Sequence, residues 1–254
     1  MEENGYVKVF IYNNIGEIEF YHPKSNSLPS EILSQLAETI SKLDNDPMVH
    51  VIKIQSAGRK AFCAGASFDE LVSINDFDSG RKFFMGFANV INAMRKAKKL
   101  VVVSIQGKAV GGGVGLAAAA DYALATKDAS IKLSELAVGI GPFVVGPAVE
   151  RKIGKAAFAQ MSIDYEWYDA DWALQKGLYN QTFETIEHLN EVVEDLCNKL
   201  AHSSKEAMAD LKKVLWEGTE NWDNLLPARA EISGKLVLSD FTKNYIKHFK
   251  EHNK

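Results

Sequence analysis

Apolar positions along this chain change period several times, and each change marks an element. Residues 7–12 and 17–21 concentrate β-branched and aromatic side chains on either side of Asn13-Asn14-Ile15-Gly16, which predicts a hairpin. His22-Pro23 ends the second strand, because proline cannot donate to a ladder. Ile32, Leu33, Leu36, Ile40 and Leu43 then recur at helical spacing, predicting a helix capped by Ser30 and running to about Leu43. Residues 49–55 read as a buried strand. Phe84, Phe87, Ala88, Ile91 and Met94 mark a second amphipathic helix over 83–96, and 100–105 is the strongest buried-strand signal in the chain. Glycines at 107, 111, 112, 113 and 115 lead into an Ala/Leu-rich helix ending near Ala120, with a short strand over 122–125. From about residue 180 the pattern is helical: 187–201, 205–215 and an interrupted stretch over 226–250. Strands alternating with helices imply a layered α/β core. The chain therefore divides into an α/β core over residues 1–185 and a helical section over 186–254, with no internal sequence repeat and no low-complexity linker.

Composition narrows the class. The chain has 254 residues, 46% hydrophobic and 24% charged, the balance of a soluble globular protein rather than a disordered or collagenous one. A net charge of −4 offers no basic surface for nucleic acid. Cys63 and Cys197 do not make a disulfide framework, and no His or Cys spacing suits a metal. The start, MEENGYVKVF, lacks an apolar signal core. The most apolar stretch, 100–126, is broken by Gln106, Lys108 and five glycines, so no membrane span is expected. The expectation is a cytoplasmic protein.

Three stretches could carry chemistry. In Ser104-Ile-Gln-Gly-Lys-Ala-Val-Gly-Gly-Gly-Val-Gly115 a strand meets a glycine cluster and then a helix. Glycines admit close approach of a ligand to the backbone, and the helix start presents free N–H groups and a favourable dipole. It is not a P-loop, since Lys108 precedes the glycines, and the dinucleotide pattern GxGxxG is not met. Close packing of a helix on a sheet would also account for the glycines. In Gly58-Arg-Lys-Ala-Phe-Cys-Ala-Gly-Ala-Ser-Phe-Asp-Glu-Leu71 small residues permit a tight backbone path behind two cations; alone, it also reads as a loop entering a helix. In Ile131-Lys-Leu-Ser-Glu135-Leu-Ala-Val-Gly-Ile-Gly-Pro142 a carboxylate stands among apolar residues. Desolvation there would raise its pKa and suit it to proton transfer, although a carboxylate capping a surface turn has the same sequence.

Taken in order, these stretches resemble the crotonase (enoyl-CoA hydratase/isomerase) superfamily over nearly the whole chain. His22-Pro-Lys-Ser-Asn-Ser-Leu28 resembles the family's Pro/Asn-x-Leu segment. Ala61-Phe-Cys-Ala-Gly-Ala66, Gly107-Lys-Ala-Val-Gly-Gly-Gly113, Asp121, Glu135, Ala173-Leu-Gln-Lys-Gly-Leu178 and Phe249-Lys250 follow in step. The resemblance implies a crotonase (ClpP-like) spiral of ββα units with C-terminal helices used in trimerisation. It implies an acyl-CoA thioester substrate whose enolate is held by the amides of Ala66 and Gly112, with Glu135 as acid/base. Lys24, Ala64, Ser67, Phe68, Pro142, Phe143 and Lys250 would contact substrate, with Leu71, Phe84 and Phe87 as further lining and Arg59 and Lys60 available to CoA phosphates. Coenzyme A enters as part of the substrate, and no metal or redox cofactor is implied. The expected assembly is a homotrimer or dimer of trimers, without nucleic-acid or membrane partners.

Two departures bear on the reaction. Gly115 stands where typical two-carboxylate hydratases have a Glu, and Ser67 where many members have Asp. One carboxylate suits a double-bond isomerase. Against this, Leu133-Ser-Glu-Leu-Ala-Val-Gly-Ile-Gly-Pro142, with Pro147 and Ile153-Gly154, resembles methylglutaconyl-CoA-type hydratases. Hydration of a 2-enoyl-CoA is the leading expectation and single-Glu isomerisation the alternative. Decarboxylation of an acyl-CoA and a non-catalytic, RNA-binding role are further alternatives.

Overall fold

The computed structural model describes residues 4–252. Its first strands, β1 (Tyr6–Tyr12) and β2 (Ile15–Tyr21), form the expected antiparallel hairpin. Asn13 and Asn14 turn it with φ of 48° and 61°, the left-handed pair that matches strand twist in two-residue loops. Next comes α1 (Ser30–Asn45), which buries Ile32, Leu33, Leu36, Ile40 and Leu43 as the spacing predicts.

A repeating path follows. β3 (Val51–Ser56) and β4 (Ala61–Cys63) lead into α2 (Phe68–Ser73) and α3 (Phe77–Lys96). β5 (Leu100–Ile105) and β6 (Lys108–Val110) lead into α4 (Gly112–Ala119), then β7 (Tyr122–Thr126) and β8 (Ile131–Lys132) into a loop and α5 (Gly146–Asp164). In each pass the first strand joins one sheet and the second joins another. With α6 (Ala170–Gln175) and β9 (Gln181–Phe183) added, the large sheet has the order β1-β2-β3-β5-β7-β9 and the small one β4-β6-β8. Every pairing beyond the hairpin is parallel. This is an α/β spiral of ββα units, repeated in structure although not in sequence.

Helices cover both faces of the large sheet, which is why β5 is buried along its whole length. Val101, Val103 and Ile105 face the cluster built with α1, α3 and α4. Val102, with Ile15, Val51 and Leu124, packs instead on Leu189, Val193 and Cys197 of α7 (Ile186–Ala201). The remaining helices are α8 (Lys205–Leu215), α9 (Trp222–Leu236) and α10 (Asp240–His252).

Several boundaries differ from the sequence reading. Ser30 is the first residue of α1 and not its cap; its N–H and hydroxyl reach the Glu70 carboxylate at 2.9 and 2.7 Å. α3 begins at Phe77, where Asp76 accepts the Ser79 N–H at 2.8 Å. Its first turns are polar, so hydrophobic spacing misses them. They are held by a crossing with α9, where a Cβ on Gly80 would lie 3.0 Å from the Gly234 carbonyl. The last helical stretch starts at Trp222 and is broken between Leu236 and Asp240. α5 was not predicted; Glu150-Arg-Lys152 and a kink at Gly154, φ 77°, interrupt its apolar pattern.

Candidate active site

The small sheet places the site. Ala66 follows β4, Gly112 follows β6 and Glu135 follows β8, so three segments distant in sequence emerge from the same end of three adjacent parallel strands. That end of a parallel sheet is where loops converge on ligands.

The Ala66 loop is fixed by its neighbours. Leu28 N–H donates to Gly65 O at 2.7 Å and Ser67 N–H to Leu28 O at 2.9 Å. Asn26, at φ 54°, ties the same loop down: its side chain donates to Ala57 O and Ala61 O, and its carbonyl accepts from Ala64 N–H. These bonds flank the Ala66 N–H, which has no partner among the described residues. The N–H of Gly112 is also unpartnered there, as the first residue of α4. The two loops lie side by side, since a Cβ on Gly65 would be 3.7 Å from Gly112 N.

Glu135 completes the group. A Cβ on Gly111 would lie 3.1 Å from Glu135 Oε1, so the carboxylate rests against the residue that precedes the free Gly112 amide. Gly111 has φ +52°, so a side chain there would be strained as well as crowded. Glu135 Oε2 is shielded from solvent and has no hydrogen-bond partner among the described residues. Burial pushes the carboxyl pKa up to about 7, against a smaller opposing pull from the backbone N–H groups of Glu135 and Ser134. A shielded carboxylate oxygen without a hydrogen bond costs stability, and a carboxyl that titrates near neutrality can both take and return a proton.

A cavity of about 350 Å³ opens onto these groups. Ala64, Ala66, Phe68, Gly112, Glu135, Pro142 and Phe143, all expected from sequence, line it together, as do Leu71, Phe84 and Phe87. Phe83, Val138, Ile140, Val144, Val145, Ser27, Ser134 and Ser233 line it too. Sequence reasoning missed these: Ser233, for example, arrives from α9 through a contact that no local pattern encodes. Glu135 is the single ionisable residue in this lining.

Other expected residues sit elsewhere. Ser67 is buried outside the lining, and its hydroxyl caps α2 by accepting the Glu70 N–H at 3.3 Å. Lys24 is exposed and pairs with Asp69 beside the Ala66 loop. Arg59 is paired with Glu187 at 2.9 Å. Lys250 and Phe249 belong to α10, but their side chains lie outside the described residues. Asp121 is part of the scaffold: it accepts from Val101 N–H and Trp216 Nε1, both at 2.7 Å, and pairs with buried Lys212 at 2.9 Å. Among the described residues no group of His, Cys, Asp and Glu is placed to hold a metal, and no helix is long and apolar enough to cross a membrane.

Known proteins share this fold. The enoyl-CoA hydratase from Bacillus halodurans superposes with a TM-score of 0.88 at 24% identity, over 96% of this chain and 99% of that one. A short-chain-enoyl-CoA hydratase of Clostridium acetobutylicum is 28% identical over the whole of this chain and 95% of its own length. A carnitinyl-CoA dehydratase of Escherichia coli is 30% identical, over 91% of this chain and 85% of its own. The family model described as enoyl-CoA hydratase/isomerase matches residues 10–254 and so runs through all three strand-end loops. The chain belongs to the enoyl-CoA hydratase/isomerase family.

Proposed function

We propose that the protein hydrates a 2-enoyl-CoA through a thioester enolate. The observation that carries this is the shielded, unpartnered Glu135 carboxylate set against Gly111, next to the free Gly112 amide. The N–H groups of Ala66 and Gly112 hold the thioester oxygen; preorganised donors of this kind contribute about 3–4 kcal/mol each to the transition state. Ionised Glu135 takes a proton from water as the water oxygen bonds to C3 and the alkene electron pair moves onto the thioester oxygen. The same carboxyl then gives that proton to C2 as the enolate collapses. One carboxylate thus serves as base and then acid, which a pKa of about 7 suits.

The names of the similar hydratases and dehydratase support hydration. One observation favours a second reading, double-bond isomerisation: the space before Gly115, where a second carboxylate would hold water, is filled by Val145. There Glu135 would take the C2 proton of a 3-enoyl-CoA and return it at C4. Incubating 2-enoyl- and 3-enoyl-CoA in heavy-oxygen water tests both. Label in the product supports hydration; a 3-to-2 shift without label supports isomerisation and overturns the leading reading.

Coenzyme A would arrive as part of the substrate, its phosphates met by Lys24 and by Lys250. A homotrimer or dimer of trimers fits the exposed Leu211, Val214 and Leu215 of α8, and light scattering of the purified protein reads its mass. The acidic net charge of −4 argues against the RNA-binding alternative, and a cytoplasmic location is the setting we assign. Decarboxylation is disfavoured because no cation is among the described residues lining the cavity to receive an acyl carboxylate.

A further inference from the structure

Two cavities meet at one wall. The cavity above Glu135 and a second one of about 270 Å³ share Pro142 and Phe143 in their linings and no other residue. The second is also bounded by Phe158, Ser162, Glu150 and Arg229. Pro142 is buried and has no rotamer to change. Phe143 is partly exposed, and its ring lies over Gly141, where a Cβ would come within 2.8 Å of it. Rotation about χ1 of Phe143 is therefore the available way to join the two spaces.

The chemistry of the first cavity sets what enters it. Its walls are mainly apolar, with Ser27, Ser134 and Ser233 among them; no cation is among the described residues of the lining, and the one ionisable group there is Glu135. A carboxylate at the distal end of an acyl group would be desolvated beside a like charge, with nothing to pair it. A methylglutaconyl-type acyl group thus fits poorly, whereas a short hydrocarbon chain fits throughout.

The geometry points to Phe143 as the residue that limits acyl-chain length, closing the catalytic cavity on short, uncharged acyl groups and separating it from a second chamber that longer chains enter only when the ring moves. This rests on the acyl-CoA reading above and adds a specificity role to a lining residue.

The test compares crotonyl-, 2-hexenoyl-, 2-decenoyl- and glutaconyl-CoA with the wild type, Phe143→Ala and Phe143→Ala/Phe158→Trp. The wild type should favour crotonyl and hexenoyl substrates and use glutaconyl-CoA at least tenfold less well. Phe143→Ala should raise kcat/KM for decenoyl relative to crotonyl by about tenfold or more, since each newly buried methylene is worth about fourfold. Phe158→Trp should reverse that gain by filling the second chamber. Equal wild-type use of decenoyl and crotonyl, an unchanged profile in Phe143→Ala, or a gain that survives Phe158→Trp would overturn the inference. If Phe143→Ala does not fold, Phe143→Leu should give the same shift at smaller size. Calorimetric binding of butyryl- and decanoyl-CoA, which cannot be hydrated, separates the two readings. A chain-length shift in binding without turnover of any enoyl-CoA would retain the length limit and sink the hydratase reading.

Discussion

Val145 stands in the space in front of Gly115: a Cβ built on that glycine would lie 2.6 Å from Val145 Cγ1, with Ile91 Cδ1 at 3.4 Å. The position where a second carboxylate would stand is thus packed shut by a branched apolar residue. Gly115→Glu alone should lower stability by about 2 kcal/mol or more, from overpacking and a buried unpaired charge. Gly115→Glu/Val145→Ala should recover part of that loss, because the residues are in contact and their effects are not additive. Urea unfolding of the single and double variants checks this; equal stability of the two would show that Val145 is not the obstruction.

Activity should depend on pH through Glu135. In both proposed reactions its ionised form would take the first proton, and burial raises its pKa to about 7. The kcat/KM should therefore fall as pH drops below 7, tenfold per unit well below it. Glu135→Gln should lose about 10²–10⁴-fold in rate and its residual rate should lack that step. A step near pH 7 that persists in Glu135→Gln would assign it to another group.

The same carboxyl should make the fold more stable in mild acid. Its folded pKa lies above its ordinary value of 4.5, so the folded state binds more protons than the unfolded state between pH 4.5 and 7. Stability from this group falls as pH rises through that window and levels off above it. Glu135→Gln should thus be more stable than the wild type at pH 8, by up to about 3 kcal/mol, with the difference shrinking toward pH 5. Chemical denaturation at the two pH values reads the difference.

Removing Asp121 should be costly without touching the chemistry directly. Lys212, 3% exposed at its side chain, would keep the carbonyls of Met94 and Lys99 and lose its counter-charge. Asp121→Ala should destabilise by about 3–5 kcal/mol, while Asp121→Ala/Lys212→Met should regain much of that. Thermal melts of both variants decide the point.

Much of this was legible in the sequence because it is locally encoded. The buried face of α1, the double-sided apolar β5 and the glycine run entering α4 each follow from residue spacing over one element. The resemblance supplied Ala66, Gly112 and Glu135 as a group, and the cavity unites them with Phe68, Pro142 and Phe143. What escaped was set by partners far along the chain. The polar start of α3 is held by a glycine crossing with α9, and Asp121 is engaged by α8. Gly113 is likewise fixed by a distant partner, since a Cβ there would run into the carbonyl of Cys63. The resemblance implied a substrate contact at Ser67, whose hydroxyl is used in capping α2.

The three strand ends of the small sheet have a consequence for how such a protein changes over time. In the proposed reaction the loop after β4 and the loop after β6 would grip one atom of the thioester, while the loop after β8 would decide which proton moves and where the chain fits. A substitution in that last loop can redirect the outcome of the reaction while the carbonyl grip stays intact. Diversification one loop at a time is open to this architecture.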